Sequence, residues 1–174
     1  MARHDQSIHP YRIQATKAFW KSSVAMRESF EMRDIWSPKW SITTKTPIAT
    51  VGSCFAQHIS KALQMHGCNW INGEQGPPGM TNESLRTYNY GVFSFRTGNI
   101  YTIALLKQWL HWALDKEQPP DEYWSQNNRF YDPFRPEIEP YGFISTDELL
   151  QSRQQTLYAI RSVVNDHPPI AHFR

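Results

Sequence analysis

Three side chains able to make or break bonds fall in one short run: Ser53, Cys54 and His58. They follow an apolar stretch, Pro47 to Val51, which has the pattern of a buried strand, and Gly52 lets the backbone turn where a side chain would clash. From about Phe55 to His66 the apolar spacing predicts an amphipathic helix, with Phe55, Ile59, Ala62 and Leu63 on a core-facing stripe. Cys54 therefore falls at a helix N-terminus, where free N–H groups and the positive end of the dipole favour an anion or a thiolate. His58 follows four residues later, and helical side chains lean back toward the N-terminus, so its imidazole is expected to point at the sulfur. Spacing alone also admits the opposite reading, in which Cys54 is a small core residue, as free cysteines often are, and His58 is an exposed or capped one.

A strand that leads through a glycine into a helix needs a sheet to belong to. Gly67 is a plausible helix stop, and Cys68-Asn69-Trp70-Ile71-Asn72 has the pattern of a second short strand, completing a β-α-β unit. Residues Asn72 to Met80, with Gly73, Gly76, Pro77, Pro78 and Gly79, form a loop. It lies near the strand ends where doubly wound sheets bind ligands. Gly91 to Phe95 is too short to decide between strand and extended loop. Arg96-Thr97-Gly98 turns, and Asn99 is placed to cap a helix running through Ile100, Ile103, Leu106, Leu110 and Leu114. Tyr101, Leu105, Trp109 and Trp112 give that helix a second apolar stripe, and His111 an outer face.

Further along, Pro119 to Tyr141 is a Pro- and aromatic-rich connection whose polar Asn127, Asn128, Arg129, Asp132 and Arg135 could hold a substrate; equally, Arg129, Asp132 and Arg135 could pair to order the loop. Ser145-Thr146-Asp147-Glu148 is a capping-box signature. It opens a helix with Leu150, Leu157, Ile160 and Val164 on one face, closed by Asp166-His167-Pro168-Pro169.

The segments Ala49-Thr50-Val51-Gly52-Ser53-Cys54-Phe55-Ala56-Gln57-His58-Ile59, Tyr90 to Tyr101 and Asn128 to Pro136 together resemble the bacterial GSCFA-domain family, over roughly residues 10 to 165. That family is placed near the SGNH (GDSL-like) esterases and acyltransferases. The resemblance implies an α/β fold, an SGNH/flavodoxin-like three-layer α-β-α arrangement with a mostly parallel sheet and long loops. It also implies acyl hydrolysis or acyl transfer, on a saccharide or other O-acyl substrate. Laid on the Gly-Asp-Ser-Leu block of those esterases, Cys54 rather than Ser53 takes the nucleophile position, with Ser53 beside it. The same pattern builds an oxyanion hole from the nucleophile's own N–H, a glycine after the second strand and an Asn. Gly91 matches that glycine, and Gly52, Asn99, Asn128 and Arg129 join it as candidate oxyanion or substrate-binding residues. The family pattern continues into further strands and a late Asp-x-x-His. This chain carries no Asp-x-x-His, so the expectation is an N-terminal portion of the domain, residues 47–174, or a shortened relative whose sheet invites self-association.

Length and composition bound these readings. The 174 residues suffice for one domain with a real core. Residues 1–46 carry Phe19, Trp20, Phe30, Trp36 and Trp40 without sustained periodicity, and are read as an irregular arm packed on the domain. Short helices are expected there near Ala15 to Ser22 and Val24 to Arg33, and an extended Trp36-Ser37-Pro38-Lys39-Trp40. The aromatics of the arm either enter the core or form a carbohydrate-stacking platform. Lys and Arg number 18 against 16 Asp and Glu, with no basic run, which argues against nucleic acid or an anionic membrane as partner.

No stretch has the length of a bilayer span and no signal-peptide core follows Met1, so a cytoplasmic protein is expected. Cys54 and Cys68 stand at opposite ends of a helix ~18 Å long, beyond disulfide reach, and are read as thiols. The same separation argues against a zinc site from Cys54, His58, His66 and Cys68, and no cofactor is expected. His66 is assigned to the core, and the sequon Asn82-Glu83-Ser84 to a loop. Two functions remain: acyl transfer through Cys54 on a small-molecule or carbohydrate substrate, and a catalytically inactive binding domain of the same fold.

Overall fold

The computed structural model describes residues 9–32, 35, 37–39 and 41–167. It divides into two compact units, residues 1–42 and residues from Thr43 onward. Among its described residues the first holds only single turns: 3-10 turns at Pro10–Ile13, Thr16–Ala18 and Ser29–Glu31, and a π turn at Lys21–Ala25. These replace the expected short helices. Trp20 and Phe30 are exposed rather than in a core, while Trp36 and Trp40 lie outside the described residues.

The second unit holds helices α1 (Ala56–Met65), α2 (Asn82–Thr87), α3 (Ile103–Ala113) and α4 (Thr146–Asp166), and strands β1 (Trp124–Gln126) and β2 (Arg129–Tyr131). The capping signature opens α4 as expected: Ser145 accepts from the Glu148 N–H at 3.1 Å, and the Glu148 carboxylate reaches back to the Ile144 N–H at 2.8 Å. Packing of α3 against α4 makes the core, in which Trp109, Trp112 and Ala113 meet Leu157, Ala159 and Ile160, joined by Phe95 and Ile100. The Trp109 and Trp112 rings meet edge to face at 5.5 Å, and Trp112 meets Phe134 at 4.8 Å. Each such aromatic removes much apolar area from water, and edge-to-face contact adds to it.

A mostly parallel three-layer α-β-α sheet is not what forms. Among the described residues the only sheet is the antiparallel hairpin β1-β2. The expected first and second strands do run parallel, but they make a single bridge, Ile48 to Trp70. Three interactions stop the ladder. The Thr50 N–H donates to the Ser94 hydroxyl at 2.8 Å instead of to a strand carbonyl, the Trp70 N–H donates to Cys68 O at 2.7 Å, and the Gly73 N–H is taken by Ser94 O at 2.9 Å. Pro77 and Pro78 then remove donors from the loop that follows. The Gly91 to Phe95 stretch is accordingly a bent segment rather than a strand, buried from Phe93 to Phe95.

Helix α1 also faces the other way round. Phe55 and Ile59 are exposed, and Ser60 is the buried residue. A hydroxyl chain holds that face: Ser60 Oγ and Thr50 Oγ1 lie 2.8 Å apart, and Trp70 Nε1 donates to Thr50 Oγ1 at 2.8 Å. His66, on the outward side, is exposed and not in the core. An apolar hollow of about 170 Å³, lined among others by Val51, Leu106 and Val163, opens beside the core.

The long Pro-rich connection is ordered by charge. Asp132, fully buried, accepts from Arg135 Nε at 2.9 Å and from Arg153 Nη2 at 3.0 Å. Arg135 passes on to Arg96 O, Thr156 Oγ1 and Ser152 Oγ, and Arg153 to Pro120 O and Glu122 O. The expected pairing of Asp132 with Arg135 holds, but its second cation is Arg153 of α4. Arg129 is exposed and takes no part. Since breaking a buried ion pair strands the remaining charges, Asp132→Asn is expected to lower stability by about 3–5 kcal/mol in urea unfolding, against about 0.5 kcal/mol or less for Arg129→Ala. Equal losses in the two variants would remove Asp132 from its organising role.

Candidate functional site

The turn ahead of α1 is tight. The N–H groups of Ala56, Gln57 and His58 donate to the carbonyls of Ser53, Cys54 and Phe55, each three residues back, so Cys54 sits before the regular helix. Its side chain is exposed. Among the described residues the backbone N–H groups of Cys54 and Phe55 have no acceptor. Such free donors at a helix start are where negative charge is best accommodated. Gly52 is required by close approach: a Cβ there would stand 2.8 Å from Ala56 Cβ, at a φ of +157°.

The segment before α3 runs along this turn. The Ile100 N–H donates to Gly52 O at 2.8 Å, and Gln57 Nε2 donates to Asn99 Oδ1 at 3.2 Å. These two bonds use the residues that the sequence assigned to the start of a helix. The helix begins instead at Ile103, because Thr102 supplies the cap by accepting from the Leu105 N–H at 3.1 Å. Tyr101 is thereby released from the apolar stripe and stands exposed beside Cys54. Its pKa is raised above the ordinary tyrosine value, first by the negative charge of Cys54, then by desolvation and by hydrogen bonding to the same side chain, with Glu137 adding a smaller push.

Among the described residues His58 makes no hydrogen bond to Cys54. Its ring meets Phe55 edge-on, with centroids 6.0 Å apart. Ser53 is half-buried beside Cys54, its carbonyl closing the turn. Of the other candidates, Asn99 is at the site and lines a hollow of about 220 Å³ together with Asn89, Tyr101, Phe134 and Glu137. Gly91, at φ +68°, lies in the turns after α2 and lines no part of that hollow. Asn128 is a hairpin-turn residue with φ +56°, next to Asn127 at +51°, the pair of left-handed residues that a two-residue hairpin loop demands. Arg129 begins β2, also away from the hollow. No three His, Cys, Asp or Glu side chains gather into a possible metal site among the described residues.

The GSCFA family model matches residues 47–170. The chain belongs to the GSCFA family. No curated protein and no solved structure matches it. No helix among the described residues is long and apolar enough to cross a membrane. Within the GSCFA match lie both the Cys54 turn and the walls of the adjoining hollow, since residues 52–55, 89, 99–101 and 134–137 all fall inside it.

Sequence reasoning missed Tyr101, Asn89 and Glu137. Tyr101 looked like part of a helix stripe. Asn89 and Glu137 meet only in space, where Asn89 Nδ2 donates to Glu137 O at 3.2 Å. A signal for Asn89 existed in its own type, because its φ of +61° is a conformation that Asn tolerates better than most residues. The proximity of Tyr101 to Cys54 has a direct readout. In Cys54→Ala the ionisation midpoint of Tyr101, assigned by difference against Tyr101→Phe in spectrophotometric titration, is expected to fall toward the ordinary tyrosine value. His58→Ala should leave it unchanged. A midpoint unmoved by loss of the thiol would mean that the two groups are not neighbours.

Proposed function

We propose that this GSCFA-family chain carries out acyl transfer through Cys54. The observation that carries the reading is the combination at one turn of an exposed thiol, unclaimed Cys54 and Phe55 N–H groups, and the Tyr101 hydroxyl. Cys54 Sγ attacks the carbonyl carbon of an acyl donor, and the oxyanion that develops is met by the free backbone N–H groups. Collapse forms the Cys54 thioester and breaks the donor's acyl C–O bond (an ester) or C–S bond (a thioester). The proton that leaves the thiol reaches the departing alkoxide or thiolate by way of the Tyr101 hydroxyl. Water or an acceptor hydroxyl then attacks the thioester, gives its proton back along the same route and frees the thiol, so hydrolase and transferase differ only in the second nucleophile. Ser53 serves the turn and His58 packs on Phe55, leaving neither a proton-transfer role.

A non-catalytic binding domain is the competing reading, favoured by one feature: no imidazole hydrogen-bonds to Cys54 among the described residues. Incubation with an activated ester and with acetyl-CoA, followed by peptide mapping, separates the two. Acyl transfer expects one acyl group on Cys54, none on half-buried Cys68, loss of label in Cys54→Ala and slower labelling in Tyr101→Phe. Label on Ser53 would make the enzyme a serine esterase. No label on either residue, with Cys54 alkylating no faster than Cys68, would leave the binding domain.

A further inference from the structure

We infer that the hollow beside Cys54 is a subsite for a carbohydrate ring, which supplies the alcohol side of the acyl transfer. This rests on the acyl-transfer reading for its purpose but on different atoms for its evidence. Asn99 and Tyr101 line the hollow, and the segment that carries them is bonded to the Cys54 turn, through Gln57 Nε2 on Asn99 Oδ1 at 3.2 Å and the Ile100 N–H on Gly52 O at 2.8 Å. A molecule held there has its hydroxyls near the acylated sulfur. The volume of about 220 Å³ is below the ~300–1,000 Å³ of drug-sized sites, which leaves room for a single ring.

The polar groups lining the hollow are already half used, and what remains is specific. Asn99 Oδ1 accepts from Gln57, so its Nδ2 is left as a donor. Asn89 Nδ2 donates to Glu137 O, so its Oδ1 is left as an acceptor. The Glu137 carboxylate takes no hydrogen bond among the described residues and adds further acceptors. Arg135, the one cation in the wall, is fully buried with its guanidinium spent on Asp132, Arg96 O, Thr156 and Ser152. An anionic ligand therefore finds no free cation here. A simple amine would use the acceptors and leave the Asn99 donor unpaired. Neighbouring ring hydroxyls, each both donor and acceptor, match the remaining set, and the exposed Tyr101 ring offers a face for the apolar side of a sugar.

The fixed wall is a further reason for a small, oriented ligand. Phe134 and Arg135 are anchored through Asp132, whose carboxylate also accepts from the Phe134 N–H at 3.1 Å. The hollow is thus shaped before anything enters it, which lowers the ordering cost of binding.

The test uses the native chain and Cys54→Ala in parallel, following side-chain amide resonances of Asn89 and Asn99 by nitrogen-proton NMR during titration with methyl glucoside, methyl N-acetylglucosaminide, butylamine or sulfate. Saturable shifts at both Asn side chains with either glycoside, in both proteins, and none with sulfate or butylamine, are expected. Asn99→Asp keeps the acceptor for Gln57 but turns the free donor into an acceptor, and should weaken glycoside binding about fivefold or more, with Glu137→Gln showing a smaller loss. Unchanged affinity in Asn99→Asp, shifts confined to other residues, or a stronger response to butylamine or sulfate would each overturn the subsite. Because binding is read without turnover, glycoside binding without Cys54 labelling would leave the subsite and remove the enzyme. Labelling without glycoside binding would do the reverse.

Discussion

One carboxylate shared by two buried guanidinium groups ties the long Pro-rich connection to α4 and to the backbone at Arg96. Asp132 lies in a connection with four prolines between Pro119 and Pro136, little of it regular structure, and apolar burial alone would leave such a segment poorly placed. Its two oxygens take Arg135 from the same loop and Arg153 from α4. The other guanidinium nitrogens donate to carbonyls and hydroxyls, so each nitrogen of both groups has an acceptor. Burial pushes the Arg135 pKa down and Asp132 pulls it back. Charges taken this far from water hold only with such saturation, and the geometry that saturates them is also what makes the arrangement unique.

A second ring of charge extends the same device. Glu74 accepts from Thr156 Oγ1 and from the Arg96 N–H, while Arg96 reaches Tyr88 O and Glu139 and lies over the Tyr90 ring at 4.1 Å. The loop after the second extended segment, the bent segment around Ser94 and the long connection are thereby tied to α4. Sheet hydrogen bonding would do this work in a conventional α/β core. Here side chains do it, which is why parallel pairing can stop at a single bridge without the segments coming apart.

The candidate site inherits both styles. Its wall, at Phe134 and Arg135, is held by the Asp132 network, and its thiol stands on an exposed turn held by two bonds from residues 57 and 100. Rigid recognition beside an accessible nucleophile suits a reaction in which one partner must be oriented and the other must arrive and leave. Apolar surface near the turn is left uncovered, with Phe55 and Ile103 largely exposed.

The residues themselves determined the local events: the start of α4 from Ser145 and Glu148, the helix after Gly52, the parallel direction of the two segments around it, the pairing of Asp132 with Arg135, and the family through the run around Cys54. Apart from the parallel bridge, which joins Ile48 to Trp70 across α1, each rests on contacts within a few residues or on a motif. What surrounds Cys54 was not legible in this way. Helical spacing pointed His58 at the sulfur and put Tyr101 on a buried stripe, yet the Ile100 N–H is claimed by Gly52 O and Thr102 takes the cap, so the helix starts late and Tyr101 is left exposed on the segment bonded to the Cys54 turn. Periodicity likewise chose the wrong face of α1, because a hydroxyl chain from Ser60 through Thr50 to Trp70 outweighed its apolar stripe. The parallel sheet failed for the same reason: Thr50 and Gly73 found partners on Ser94, decades of residues away in the chain, and only the folded chain brings such partners within bonding distance.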